Sequence, residues 1–414
     1  MNRTSIRMYF VFILLAAGMA GVTVRLVSIQ IVHQKEYAVK SRTQSQQREV
    51  VRARRGRILD KQGRVLAYSM DKNVTLDMAK IGRPAGDAAR GGRDRTELRR
   101  VYPYGPLAAQ VLGFTGTDGD GLDGIEFMYD NRLRGEDGWS IVQRDALVSR
   151  GRQNRYRTAQ LPARPPIAGC DVHLTLDIEV QRILQDVLRS TMESLRARAA
   201  MGMVMEPHTG RIIAMANEPS FDPNFPTSSA AAGRRNRCVS ENYEPGSTFK
   251  VITAAAVLDR DIVGENDTVS GGGGVFEIYH EKIHDHKPYG RLSFTEAMAY
   301  SSNVCFARVA SRLDNEYFFR FVSGFGLGDR TGVSLPGEEA GIVRPISRWS
   351  GRTRVTMAIG QEISVTLLQM MTVYASVANG GVLVKPVICE KIVTAGGTAV
   401  DTASGGPVRR VLDE

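Results

Sequence analysis

Residues 8–24 carry no charge and are mostly apolar, and with Arg25 tolerated near one end the run continues through Leu26, Ile29, Ile31 and Val32. This predicts one helix long enough to span a bilayer. An arginine near a helix end can snorkel to the interface, so Arg25 does not forbid the span. A cleaved signal peptide competes, because Leu15-Ala16-Ala17-Gly18 offers small residues to a peptidase, but the apolar run extends well past them. Arg3 and Arg7 precede the span while Lys35, Lys40, Arg42 and Arg48 follow it, so positive charge does not orient it.

Beyond the span the pattern shortens. In a basic stretch over 44–64, the pairs Ile58-Leu59 and Val65-Leu66 flank residues 60–63 as strands flank a hairpin turn. Residues 81–100, rich in Gly, Arg and Asp, predict a flexible connection, with order returning at Val101. The alternating Asp and Gly of 113–124 lack the ligand order of an EF-hand, and predict a tight loop into a helix over 125–133. Residues 152–169, with Pro162, Pro165 and Pro166, lack periodicity and predict a linker at a domain boundary. Next, 171–176 alternates as a strand, Asp177 caps a helix through Val180, Ile183, Leu184, Val187 and Leu188, and 201–205 and 211–216 read as strands joined by a turn. Antiparallel strands beside an apolar helix predict a mixed α and β domain.

Composition changes this picture only at its edges. The 414 residues, 43% hydrophobic and 24% charged, suffice for two or three domains with a substantial core. A net charge of +10 favours an anionic neighbour, for which nucleic acid, anionic lipid and an acidic polymer such as cell wall all qualify. No zinc-finger spacing, recognition helix or aromatic-interleaved basic motif supports nucleic acid. Cys170, Cys238, Cys305 and Cys389 form no C-x-x-C pair, which excludes a disulfide scaffold and a thiolate zinc site and leaves them as apolar fillers. His280, His284 and His286 cluster with Asp285, but their spacing suits a loop, and neither metal nor cofactor is expected.

The chemistry gathers at Tyr243-Glu244-Pro245-Gly246-Ser247-Thr248-Phe249-Lys250, which runs into the apolar series from Val251 to Leu258. This predicts a buried helix with Ser247 at its mouth and Lys250 one turn on, on the same face. An N-cap explains the serine alone. It does not explain the lysine, because a cation in the first turn opposes the helix dipole and a capping box would want Glu or Gln there. An ammonium held in an apolar site loses proton affinity, so a neutral Lys250 could take the proton of a Ser247 nucleophile. The pattern alone is weak, since Ser69-Met70-Asp71-Lys72 matches it too. Further on, Ser301-Ser302-Asn303 offers a hydroxyl and an amide that could face one point; Ser240-Glu241-Asn242 also matches that spacing.

With Ser-x-x-Lys followed by Ser-x-Asn, the chain resembles the class B penicillin-binding proteins of the cell-division branch, septal peptidoglycan D,D-transpeptidases. The resemblance runs through Arg55-Gly56-Arg57-Ile58-Leu59-Asp60 with Gly63, Tyr102-Pro103, Gly113-Phe114, Gly124-Ile125-Glu126, Leu174-Thr175-Leu176-Asp177 with Gln181, and Ser220-Phe221-Asp222-Pro223-Asn224. It continues through the two serine motifs, Phe325-Gly326-Leu327-Gly328 with Thr331-Gly332, Leu335-Pro336-Gly337-Glu338, Gly360-Gln361, and Ala378-Asn379-Gly380-Gly381. It implies a cytoplasmic tail at 1–7, a single membrane anchor at 8–32, a shortened, mainly β pedestal of dimerisation type at 33–151, the linker at 152–169, and an α+β, serine β-lactamase-like transpeptidase domain over 170–414. The catalytic domain would lie outside the inner membrane, in the periplasm.

On this resemblance Ser247 attacks the D-alanyl-D-alanine bond of a stem peptide and an amine on a second stem resolves the acyl-enzyme. Lys250 is the base, Ser301 relays the proton, Asn303 holds the peptide carbonyl, and Ser302, Gly360 and Gln361 bind substrate. The implied partners are stem peptides, β-lactams, the membrane, a septal glycosyltransferase and other division proteins. Glu362 and Leu367 stand where relatives tend to have Gly and Pro. The family's Lys-Thr/Ser-Gly triplet is absent from the 414 residues, Arg330-Thr331-Gly332 and His208-Thr209-Gly210 being loop sequences of another kind. The chain is therefore expected to be a fragment of a longer protein and a poor transpeptidase, since one lost oxyanion donor costs a factor of about 100 to 1,000. The rival expectations are a D,D-carboxypeptidase or β-lactamase, in which water deacylates the serine, and a catalytically inactive division scaffold.

Overall fold

The computed structural model describes residues 3–71, 98–144, 155–156, 161–228, 231–279, 281–402 and 405–413. The chain divides into two compact units, Met1–Ala53 with Glu136–Ile167, and Arg54–Gly135 with Ala168–Glu414.

In the first unit the helix Arg3–Val27 passes into a π-helical turn, Ser28–Val32. The run Ile6–Val32 is long and apolar enough to cross a membrane and fits a single-pass anchor. The polar helix Gln34–Ser45 follows, with Glu36 paired to Lys40 one turn on at 2.7 Å. Strand Gln46–Val51 then runs antiparallel to Gly138–Arg144. Gly138–Arg144 also pairs with Arg155–Tyr156 and Ala163–Arg164. The predicted linker over 152–169 thus supplies two strands, each two residues long and too short to leave a period in the sequence.

The second unit carries a six-stranded sheet in the order Ala399–Thr402, Cys389–Val393, Asp171–Leu174, Ile58–Leu59, Val65–Asp71, Leu98–Val101. Ile58–Leu59 pairs in parallel with Asp171–Leu174, and the other neighbours are antiparallel. Residues 54–71 and 98–135, expected in a pedestal, therefore share a core with the later chain. Ile58, Leu66, Leu112, Ile125 and Leu133 are buried in one cluster with Val172, Leu174, Ile212, Leu368 and Ile392. Burial of that apolar surface, at about 25 cal/mol per Å², holds the distant segments together.

The hairpin at 60–63 forms as predicted. Asp60, fully buried, accepts the Gln62 and Arg64 N–H groups at 2.9 Å and Arg64 Nε at 2.7 Å, and Gly63 takes a φ of +83°. The strand Leu98–Val101 begins three residues before the point where order is predicted to return; residues 81–97 of the predicted connection lie outside the described residues. The helix expected over 125–133 is two short ones, Gly124–Met128 and Asp130–Leu133, parted at Tyr129.

Helix Ile178–Leu195 is capped by Asp177, whose carboxylate accepts the Glu179 N–H. Its fully buried residues are Ile178, Gln181 and Gln185; of the apolar series Val180, Leu184 and Leu188 are half-buried, whereas Ile183 and Val187 are 65% and 56% exposed. Gln181 faces inward because its amide satisfies both backbone groups of Met215, each at 2.8 Å, on the strand Ile212–Glu218. That strand pairs with Ala200–Met205. A second core gathers Phe249, Ile252, Ala256, Val257, Phe294 and Phe306 with Val355 and Met357. Three cysteines are buried and Cys170 is half-buried, all as free thiols.

Candidate active site

The predicted helix mouth is a 3-10 turn, Gly246–Phe249, leading into the α-helix Lys250–Asp259. Phe249 and Ile252 anchor the start of this rod in the second core, and Gly246 takes a left-handed φ of +55°. Ser247 is exposed and caps nothing. Among the described residues its hydroxyl and its N–H make no hydrogen bond; its carbonyl accepts the Lys250 N–H that closes the 3-10 turn. A free N–H beside a free hydroxyl at the positive end of a helix is an arrangement suited to a developing oxyanion.

Lys250 is 1% exposed. Its Nζ donates to the Ser301 carbonyl at 2.6 Å, to Ser301 Oγ at 3.0 Å and to Asn303 Oδ1 at 2.8 Å, and lies 5.5 Å from the centre of the Phe306 ring. All three hydrogen-bond acceptors are neutral. Burial pulls the ammonium's pKa down to about 8, with Asp285 and Cys305 acting weakly the other way. An ammonium uses all three acceptors, whereas a neutral amine has only two N–H groups and a lone pair. Of the three partners, only the Ser301 hydroxyl can turn to donate to that lone pair.

Ser301 adopts a left-handed backbone, φ +56°, unusual for a non-glycine residue. It precedes the helix Asn303–Ala310, whose N-cap is Ser302. Asn303 Nδ2 donates to the His284 carbonyl at 3.1 Å, fixing the amide with its oxygen toward Lys250. Ser302 departs from expectation: it is 1% exposed, and its hydroxyl accepts the Cys305 N–H at 3.0 Å while donating to Asp285 Oδ2 at 2.7 Å. A hydroxyl so committed supports the loop and has no face left for substrate.

Gly360 is buried with φ +78°, and its carbonyl accepts the Gly246 N–H at 2.9 Å. A Cβ at 360 would collide with the Gly246 backbone, so glycine lets the two loops touch beside Ser247. Gln361 is exposed and, with Asn303, His284, Lys282 and Glu244, lines a groove of about 370 Å³. Glu362, with φ +59°, accepts the hydroxyls of Thr353 and Thr356 at 2.9 and 2.8 Å and pairs with Arg352 at 3.2 Å, tying the groove wall to the helix Thr353–Met357. Its N–H bonds Glu244 Oε1 at 3.0 Å. In the sequence Glu362 stands out only as a departure from the family pattern, and Asp285 only as a member of the histidine cluster weighed for metal. The triplet at 330–332 closes a loop, Thr331 and Gly332 donating their N–H groups to the Glu338 carboxylate.

An exposed serine, a buried lysine of lowered proton affinity and a Ser-x-Asn loop, set on an α+β scaffold, define the class of serine acyl-transfer sites that use a lysine base. Comparison with known proteins gives that class a family. The model of the penicillin binding protein transpeptidase domain matches residues 200–411, and that of the penicillin-binding protein dimerisation domain matches residues 72–174. The chain belongs to the class B penicillin-binding proteins.

Penicillin-binding protein PbpB of Mycobacterium tuberculosis is 35% identical over 331 residues, covering 77% of this chain and 46% of that protein. The probable peptidoglycan D,D-transpeptidase PenA of Neisseria meningitidis is 34% identical over 296 residues, covering 71% and 50% respectively. The chain spans about half the length of the curated relatives it matches. The crystal structure of penicillin binding protein 3 from Mycobacterium tuberculosis superposes with a TM-score of 0.72 at 30% identity, over 88% of this chain and 72% of that one. That protein has also been solved with aztreonam and with ampicillin.

Proposed function

We propose that this protein is a septal peptidoglycan D,D-transpeptidase whose nucleophile is Ser247. The observation that carries the reading is Lys250, buried among neutral acceptors with its pKa near 8, one turn from an unencumbered serine. Ser247 Oγ attacks the carbonyl of the terminal D-alanyl-D-alanine bond as its proton passes to neutral Lys250, directly or through the Ser301 hydroxyl. The Ser247 N–H steadies the oxyanion. The tetrahedral adduct collapses with loss of D-alanine, whose amine takes the proton back by way of Ser301, and the amine of a second stem peptide then takes the acyl group. Asn303 orients the donor peptide along the groove that Gln361 lines.

The family membership and the relatives' names support the substrate class, and β-lactams, which bind the Mycobacterium tuberculosis protein, would acylate the same serine. The apolar helix at the N-terminus would hold the protein in the inner membrane with residues 1–7 cytoplasmic and the remainder periplasmic, beside a septal glycosyltransferase and other division proteins. The domain assignment we favour keeps the anchor at 8–32 and the transpeptidase over 170–414, with the dimerisation-type segment between them.

Labelling with a fluorescent penicillin tests the reading. The wild-type chain should form a covalent adduct that persists for minutes or longer, and Ser247→Ala should form none at unchanged thermal stability. An adduct that turns over rapidly would indicate a hydrolase, and no adduct on a folded wild-type chain would indicate a scaffold.

A further inference from the structure

Ser301 holds a left-handed backbone, which crowds the Cβ of an L-residue against the following carbonyl. Such a conformation persists only where the surroundings over-determine it. The end of the strand Glu281–His284 and the residue after it grip three consecutive positions following Ser301: Asp285 Oδ2 accepts the Ser302 hydroxyl at 2.7 Å, the His284 carbonyl accepts Asn303 Nδ2 at 3.1 Å, and Asp285 Oδ1 accepts the Val304 N–H at 3.1 Å. The Ser302 N–H is tied behind to the Ala297 carbonyl at 2.9 Å. With 302–304 clamped, Ser301 is the residue left to bridge them to Tyr300, and its carbonyl and hydroxyl are delivered together to Lys250 Nζ.

We infer that Asp285 is the positioning residue of this site: its carboxylate clamps the start of the helix Asn303–Ala310 so that the Ser301 carbonyl and hydroxyl face Lys250. The same charge favours the protonated form of Lys250. The carboxylate does both from one place. It bonds a free N–H at the positive end of that helix, where a negative charge is favoured. It makes no ion pair with Lys250, whose Nζ bonds Ser301 and Asn303, and its charge partly offsets the effect of burial on the lysine. The titratable groups acting on Lys250 are Asp285, at the end of the hairpin, and Cys305, on the helix Asn303–Ala310, whose thiol burial keeps protonated. Among the described residues Asp285 is the carboxylate whose charge acts on Lys250. A direct pair would hold Lys250 as an ammonium, and no carboxylate at all would let burial lower its proton affinity further. The catalytic part of the inference rests on the proposed function; the structural part does not.

The test is a direct titration of Lys250 by NMR in the full chain carrying 13C-labelled lysine, together with the pH profile of penicillin acylation. Asp285→Asn keeps the outline and removes the charge. The Lys250 midpoint should fall by about half a unit or more, and the acid limb of acylation should move down by the same amount. Asp285→Glu keeps the charge and displaces it by one methylene: the midpoint should stay near the wild-type value while the acylation rate falls at least about tenfold and the Ser301 backbone shifts leave their left-handed range. A midpoint unmoved in a folded Asp285→Asn protein overturns the inference. So does wild-type Ser301 geometry in Asp285→Glu, which carries the test alone if the asparagine variant does not fold. If the wild-type chain is never acylated, the proposed function fails, while the Lys250 midpoints and Ser301 shifts still decide the role of Asp285.

Discussion

The second unit buries cations in two places, to opposite ends. Arg55 and Arg100 are 8% and 9% exposed and converge on Glu126, itself fully buried. Arg55 Nε meets one carboxylate oxygen at 2.6 Å and Arg100 Nε the other at 2.7 Å, while Arg55 Nη1 reaches Asp130 at 2.6 Å. Burial alone would weaken the Arg55 charge, but Glu126 and Asp130 outweigh it and its pKa rises. Lys250 is buried more deeply and meets only a carbonyl, a hydroxyl and an amide oxygen. Its pKa falls to about 8. Burial therefore does not decide whether a cation is structural or reactive; the charge of its partners does. Arginine, which does not deprotonate in proteins, serves the first site, and lysine, whose pKa shifts readily, serves the second.

The contrast can be broken most severely at the lysine. Lys250→Arg keeps a cation among the same acceptors but removes the proton exchange, and penicillin acylation should fall by at least about a thousandfold at every pH, with thermal stability little changed. Acylation within about tenfold of wild type would mean that a charge at this place suffices. The complementary change is Glu126→Ala, which leaves the buried Arg100 without its carboxylate and Arg55 with Asp130 alone. It should cost about 3–5 kcal/mol of stability by denaturant unfolding, while the fraction that remains folded acylates within about threefold of wild type. A stable Glu126→Ala protein with lost acylation would reverse the roles assigned to the two sites.

How far these sites were legible depends on the reach of the interactions that build them. Ser247 and Lys250 lie one turn apart, and Ser301 and Asn303 share one loop, so local spacing named all four, and the fold sets Ser301 and Asn303 on Lys250 from more than fifty residues away. Asp285 was not legible. It acts on Ser302 across seventeen positions, and it sits among histidines that drew attention to metal chemistry instead. A polar clamp of that kind leaves no period and no motif.

The same limit governs the fold. The hairpin at 60–63 and the cap at Asp177 are local and were predicted, whereas the parallel pairing of Ile58 with Val172 spans 114 positions, and with it the placement of 54–71 in the larger unit. The helix Ile178–Leu195 shows a subtler failure. A glutamine that answers the backbone of Met215 outranks two isolated aliphatic residues for the inward face. Ser302 was misassigned for a related reason, since a serine within a motif looks available until its hydroxyl is found between Asp285 and the Cys305 N–H.

The central claim is that Lys250 acts as a neutral base toward Ser247, and the pH dependence of penicillin acylation tests it most directly. Because burial lowers the lysine's pKa to about 8, the neutral fraction grows as pH rises. The acylation rate should therefore climb about tenfold per pH unit on the acid side and level off above about pH 8. A rate that stays flat from pH 6 to pH 9 in a protein that labels on Ser247 would contradict the account, because a residue other than Lys250 would then be taking the proton.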